Sequence, residues 1–200
     1  MRRRSIIIGL VLILACLWSW RYIALNRHYQ SIATDQGRIY FEMGEEVQLG
    51  GYKMDKHTKD LTGYSIVVNS FEIMDAKDYL EMINISESDL PMAVSYEKIA
   101  VAKIVLKNTN SDEESINLFS FSLCGIDWSI PVDYSLLPLS NPILEGNPGI
   151  HLPHDSSVEL MLPFSLFQNI VYSDWNKLEK IPMYLSFTYQ PAKLTVKLQQ

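Results

Sequence analysis

Apolar positions fall into two regimes along the chain. From Ile6 to Trp20 no residue is charged, and the run continues through Leu25 with Arg21 as its one interruption. A helix needs about 20 apolar residues to cross the hydrocarbon core of a bilayer, so this stretch predicts a transmembrane helix. Beyond residue 45 the pattern changes to short runs rich in Ile, Val, Phe and Tyr, bounded by turn residues, over 47–49, 65–73, 99–107, 115–124, 128–132, 157–162, 183–189 and 193–198. Runs of that kind read as strands, and seven to eight of them predict an all-β fold, a β-sandwich. One short helix is predicted over 75–83, where Asp75 caps and Tyr79, Leu80 and Ile83 share a face.

Within the strands, alternation assigns faces. Ile104, Leu106, Phe119 and Phe121 read as inward positions, and Cys124 falls on the opposite face with Ser120 and Ser122. Trp128 and Trp175 are expected to be at least partly buried. The connection 137–155 holds Pro138, Pro142, Pro148 and Pro153 with Gly146 and Gly149, so regular structure is not expected there. A long ordered loop is either functional or a crossover stiffened by proline. The resulting organisation is a membrane segment over 1–26, a polar stalk over 27–44 and one extracytoplasmic domain over 45–200.

Charge refines the picture of the leader. The first 30 residues hold five arginines and no acid, while the remainder carries 12 basic and 23 acidic side chains, a balance of −11. Arg2, Arg3 and Arg4 ahead of the apolar run keep the N-terminus cytoplasmic by the positive-inside rule, and Trp18, Trp20 and Tyr22 supply an interfacial aromatic belt. Arg21 can snorkel to the headgroups. An uncleaved signal anchor is the first reading, because no small-x-small cleavage site follows at the usual distance. A lipoprotein signal is the second: Ile13-Leu14-Ala15-Cys16 fits a permissive lipobox, which makes Cys16 a lipidation candidate, although the apolar Leu17-Trp18-Ser19-Trp20 stands where such proteins begin a polar tether. Ordinary cleaved secretion is the third. An acidic body without a Lys/Arg cluster repels phosphate backbones, which argues against nucleic acid as a partner.

Chemistry is sparse. Gly-x-Ser-x-Gly, a Walker loop, His-Glu-x-x-His and Cys-x-x-Cys are missing from the sequence. Cys16 and Cys124 do not read as a disulfide pair when the first lies in lipid. His151-x-x-His154-Asp155 is the best metal candidate, yet Pro153 prevents the helix that would converge the imidazoles, so a solvated loop is expected. Asp112-Glu113-Glu114 lacks the alternating ligands and turn glycine of a calcium loop and reads as a charged turn. Asp127, Asp133 and Asp174 lie near Trp128, Tyr134 and Trp175, an acidic and aromatic combination that suits a glycan site and equally suits strand-end aspartates beside core tryptophans. Asn84-Ile85-Ser86 is a glycosylation sequon in a eukaryotic setting.

Several segments resemble a known group of proteins: Tyr79-Leu80, the strand 98–108, Trp128 with Asp133, Leu162-Pro163-Phe164, Trp175, and the closing stretch from Tyr184 to Lys193. They resemble an uncharacterised domain family from Gram-positive bacteria, covering roughly residues 45–198. The resemblance implies short membrane-anchored or lipid-anchored proteins with an immunoglobulin-like outer domain akin to telokin-like extracellular domains. It implies no catalytic residue. The expected function is therefore a non-enzymatic, membrane-anchored binding or accessory module outside the cytoplasm, without metal or cofactor, whose partners are the membrane and another membrane or envelope protein. The rivals are an envelope hydrolase acting on glycans and a small membrane regulator acting through its helix.

Overall fold

The computed structural model describes residues 16–22, 37–54, 61–86, 97–109, 115–171, 175–178, 180–188 and 192–199. The chain divides into two units, Met1–Gly37 and Arg38–Gln200. In the first unit, residues 16–22 form helix α1, on which Leu17, Trp18, Trp20 and Tyr22 are all exposed. Trp18 and Tyr22, four apart and so on one helix face, stack with ring centroids 5.6 Å apart. Among the described residues no helix is long and apolar enough to cross a membrane; residues 6–15 and 23–25 of the expected span lie outside them.

The second unit is mostly β. In chain order its elements are β1 (Arg38–Glu42), β2 (Glu46–Gln48), β3 (Tyr64–Asp75), α2 (Ala76–Met82), β4 (Lys98–Asn108), β5 (Ser115–Asn117), β6 (Ser122–Cys124), β7 (Ser129–Pro131), α3 (Leu136–Ser140), β8 (Gly149–His151), β9 (Ser156–Leu166), β10 (Met183–Ser186) and β11 (Lys193–Leu198). One sheet runs β1-β11-β10-β6-β7, a second runs β2-β3-β4-β9, and β5 pairs with β8 alone. Only β1 and β11 run parallel within the first sheet; the second is antiparallel throughout.

Period-two patterning explains the layering. On β4, Ala100, Ala102, Ile104 and Leu106 are fully buried, and they share one core with Leu123, Leu185 and Val196 of the other sheet. The two sheets thus form a sandwich. On the opposite face of β4, Ile99 and Val101 join a second cluster with Tyr79 and Leu80 of α2 and Leu136 of α3, so two short helices cover part of the outer face. On β3 the inward set changes parity, from Tyr64, Ile66 and Val68 to Phe71. The register shift between Val68 and Ser70 causes it, because one extra residue in a bulge turns every later side chain over.

The helix expected over 75–83 is α2. Asp75 is its N-cap residue, but its carboxylate makes no capping bond and instead accepts from Lys98 Nζ at 2.8 Å. Beyond the helix Asn84 takes a left-handed φ of 56°, the role Asn fills after a helix C-terminus, while the Ile85 amide returns to the Leu80 carbonyl at 3.0 Å. The first residue of the sequon is thus a helix-ending residue.

Three expectations need correction. Residues 38–42 belong not to a stalk but to strand β1, stabilised by its ladder with β11. The strand over 115–124 is interrupted by a 3-10 turn at Leu118–Ser120, because the Asn117 carboxamide accepts from the Phe119 amide at 3.0 Å and turns the chain. Phe119 is therefore half-buried against Tyr134, at 4.8 Å between centroids, whereas Phe121 is fully buried. The connection 137–155 does carry regular structure: the end of α3, a 3-10 turn at Pro142–Leu144, and β8. Its prolines permit this because Pro138 sits in the first turn of α3 and Pro142 opens the 3-10 turn, positions whose amides lack an intrahelical partner.

A candidate binding edge on strand β9

Strand β9 is the edge of the four-stranded sheet, and Pro163 within it accounts for that placement. A proline cannot donate to a ladder, so it is tolerated where its nitrogen faces away from the partner strand. The same parity directs the main-chain groups of Ser157, Glu159, Met161, Pro163 and Ser165 away from β4, since the pairing with β4 is continuous from Ser156 to Leu166.

Residues 133–141 close much of this edge. Asn141, buried among apolar neighbours, donates from Nδ2 to the Met161 carbonyl at 2.7 Å and accepts the Met161 amide on Oδ1 at 2.8 Å. The Asp133 amide donates to the Pro163 carbonyl at 2.8 Å. Asp133 also anchors α3, its Oδ1 accepting from the amides of Ser135 and Leu136 at 2.9 and 3.0 Å, while Oδ2 takes the Ser165 hydroxyl. Nearby, the Tyr79 hydroxyl bonds the Ser140 hydroxyl, which itself donates to the Leu136 carbonyl at 2.8 Å, tying α2 to α3.

Among the described residues nothing pairs with the outward main-chain groups of Ser157 and Glu159, and both residues are exposed. Two hollows adjoin them. One, of about 420 Å³, is lined by Lys103, Asn141, Pro142, Ile143, Glu159 and Met161 among others. The other, of about 440 Å³, is lined by Ile143, Glu145, His151, Ser156, Ser157 and Val158 among others. Ile143, which borders both, is 65% exposed. The arrangement offers main-chain donors and acceptors beside apolar walls.

Among the described residues, those singled out from sequence do not assemble elsewhere. Asp127 is exposed in the turn between β6 and β7, whereas both oxygens of Asp133 serve the α3 start and Ser165; Asp174 lies outside the described residues, as do residues 112–114. His151 ends β8, while the His154 imidazole lies 3.3 Å from the Asp155 carboxylate with both side chains exposed. Among the described residues no three His, Cys, Asp or Glu side chains stand together as metal ligands would. Cys124, half-buried on the Ser122 face of β6, is 3.5 Å from the Ser129 hydroxyl. Cys16 is exposed on α1. Sequence reasoning missed the open edge; Pro163 within an otherwise regular strand was the signal for it.

Solved structures similar to the chain include the following three. The yjhA protein from Bacillus subtilis shares 14% identity at a TM-score of 0.45, over 79% of this chain and 99% of that one. An uncharacterized beta-sandwich protein from Clostridium difficile 630 shares 12% at 0.42, over 82% and 96%. A functionally unknown protein from Listeria monocytogenes EGD-e shares 12% at 0.44, over 78% and 88%. A search of curated proteins returned no significant match. A family model described as a domain of unknown function (DUF5028) matches residues 38–194, nearly the whole of the second unit, and the chain belongs to that family.

Proposed function

We propose that the protein is a membrane-anchored binding or accessory module that works outside the cytoplasm and has no catalytic machinery of its own. The observation that carries this reading is the open stretch of β9 between its two hollows. It presents main-chain donors and acceptors beside apolar walls, the furniture of a recognition surface. The rival reading as a glycan hydrolase draws no support from Asp133, whose two oxygens are engaged in structural hydrogen bonds.

Placement rests on the leader. The uncharged run from Ile6 to Trp20 follows Arg2, Arg3 and Arg4, and the exposed rings of Trp18, Trp20 and Tyr22 suit the headgroup layer of a bilayer. The immunoglobulin-like form and the Gram-positive origin implied by the resemblance belong to the same proposal, and the two-sheet sandwich is compatible with the first.

Co-purification of the full chain from detergent-solubilised membranes tests the binding role. A defined partner recovered in stoichiometric amount is expected; recovery as a lone protein under all conditions defeats the reading. Alkaline carbonate extraction tests the anchor: the chain is expected to stay in the membrane fraction. Mature chains beginning at Cys16 and carrying lipid would move the case to the lipoprotein reading, and soluble chains beginning after Trp20 would defeat both forms of attachment.

A further inference from the structure

Most of the outward-facing positions of β9 are sealed from within the fold. Met161 is met on both its amide and its carbonyl by Asn141, the Pro163 carbonyl by the Asp133 amide, and the Ser165 side chain by the Asp133 carboxylate. Ser157 and Glu159 are exposed, and the two hollows adjoin them, the first reaching along the edge to Met161. An edge closed at one end and left open beside two concavities has the form of a strand-acceptor site.

We propose that the stretch from Ser157 to Glu159 takes up an extended polypeptide segment of a partner protein, which adds to the four-stranded sheet beside β9. The proposal rests on the binding-module reading and names the class of partner. Its chemistry follows from the edge. Ser157 and Glu159 each direct one N–H and one C=O outward, and the two residues lie about 7 Å apart along the strand. An extended backbone repeats its own donors and acceptors at that interval, so it meets all four groups at once. Side chains of the added strand that point toward the hollows would meet Pro142, Ile143 and Met161 in one and Ile143 and Val158 in the other, which favours apolar residues there. The acidic balance of −11 in the chain beyond its first 30 residues favours a segment that is neutral or basic. A second copy of this chain is the weaker occupant, because two bodies with the same acidic balance repel one another.

Proline at position 159 provides a selective test. The Glu159 amide faces away from β4, so Glu159→Pro removes an outward donor while leaving the ladder with β4 intact, as Pro163 already does two outward positions along the same strand. If that variant fails to fold by circular dichroism, Ser157→Pro takes its place. The full chain in detergent micelles is panned against a displayed library of random linear peptides of about ten residues, long enough to span a typical strand. Enrichment of apolar, neutral-to-basic peptides is expected, with affinity falling about tenfold or more on the proline variant. Amide hydrogen exchange on the wild-type chain supplies the second readout. The amides of Ser157 and Glu159 should exchange quickly in the free protein and slow when an enriched peptide is added, while those of Val158 and Leu160, directed at β4, stay slow throughout.

No enrichment, equal binding to the proline variant, or protection elsewhere on the surface overturns the proposal. Protection of Ser157 and Glu159 that rises with protein concentration in the absence of peptide assigns the edge to a second copy and overturns it too. A natural partner that co-purifies equally with the proline variant sinks strand addition and leaves the binding-module reading standing, whereas a chain that never brings down a partner defeats that broader reading first.

Discussion

Asn141 stands to Met161 as a residue of a neighbouring strand would, its carboxamide donating to the Met161 carbonyl at 2.7 Å and accepting the Met161 amide at 2.8 Å. The second hydrogen of Nδ2 goes to the Leu137 carbonyl at 2.8 Å, so one side chain joins the end of α3 to the edge of the sheet. Asn141→Ala should cost about 1 to 3 kcal/mol, the range for stripping partners from buried polar groups. Chemical denaturation measures that loss. Exchange of the Met161 amide should quicken in the same variant, and an unchanged exchange rate would show that something else closes this position.

Gly125 and Trp128 close the turn between β6 and β7, with the Gly125 amide bonded to the Trp128 carbonyl at 3.0 Å. A Cβ at Gly125 would lie 2.2 Å from the Trp128 ring, so the indole can stay buried only over a glycine. Gly125→Ala should destabilise by about 1 to 3 kcal/mol, as overpacking does, and should shift tryptophan emission toward that of an exposed ring. Wild-type stability with an unshifted spectrum would contradict the packing.

Phe121 is fully buried, and its ring lies 5.5 Å from that of Phe187. Removing it leaves a cavity between the sheets, so Phe121→Ala should cost about 3 to 5 kcal/mol. Phe119→Ala should cost visibly less, because that ring is half-buried outside the strand. Equal losses in the two denaturation midpoints would restore the unbroken strand over 115–124.

Glu46 provides a pH signature. Its carboxylate accepts the Ser65 hydroxyl at 2.6 Å and Lys107 Nζ at 3.3 Å, and these contacts, Ser65 first, hold its pKa below the ordinary 4.5. A group depressed in the folded state adds stability that is present above its unfolded pKa and lost as pH falls through the folded one. Its exposed position keeps the contribution small. In an NMR titration Glu46 should therefore show a midpoint below 4.5, and Ser65→Ala, which removes the larger cause, should raise it. A midpoint indifferent to Ser65→Ala would mean that the hydroxyl does not bond the carboxylate in solution.

Much of the frame is local and was legible without coordinates. Alternation along 99–107 correctly placed Ile104 and Leu106 inside, since a period of two assigns a face whatever the partner strand is. Asp75 marked the start of α2 and Tyr79 and Leu80 its buried side. Trp128 lies in the core and Trp175 packs partly buried against it, as expected of both. Strand β1 escaped the sequence reading although it holds Ile39, Tyr40 and Phe41, because three such residues in a row show no alternation and its place is set by pairing with the distant β11. Aspartates near aromatic residues suggested a shared site, but Asp133 is occupied by the start of α3 and by Ser165.

What the sequence determined by itself was the run of apolar residues in the leader, the acidic balance of the body, and the inward face of each long strand, all properties of residues near one another in the chain. Only the tertiary structure decided that β1 pairs with β11, that Asn117 breaks a strand, that β9 is an edge, and that Asn141 and Asp133 close part of that edge while Ser157 and Glu159 stay open. The physical reason is that a main-chain donor acquires its partner from wherever the fold brings one, and side-chain periodicity carries no record of which partner that is.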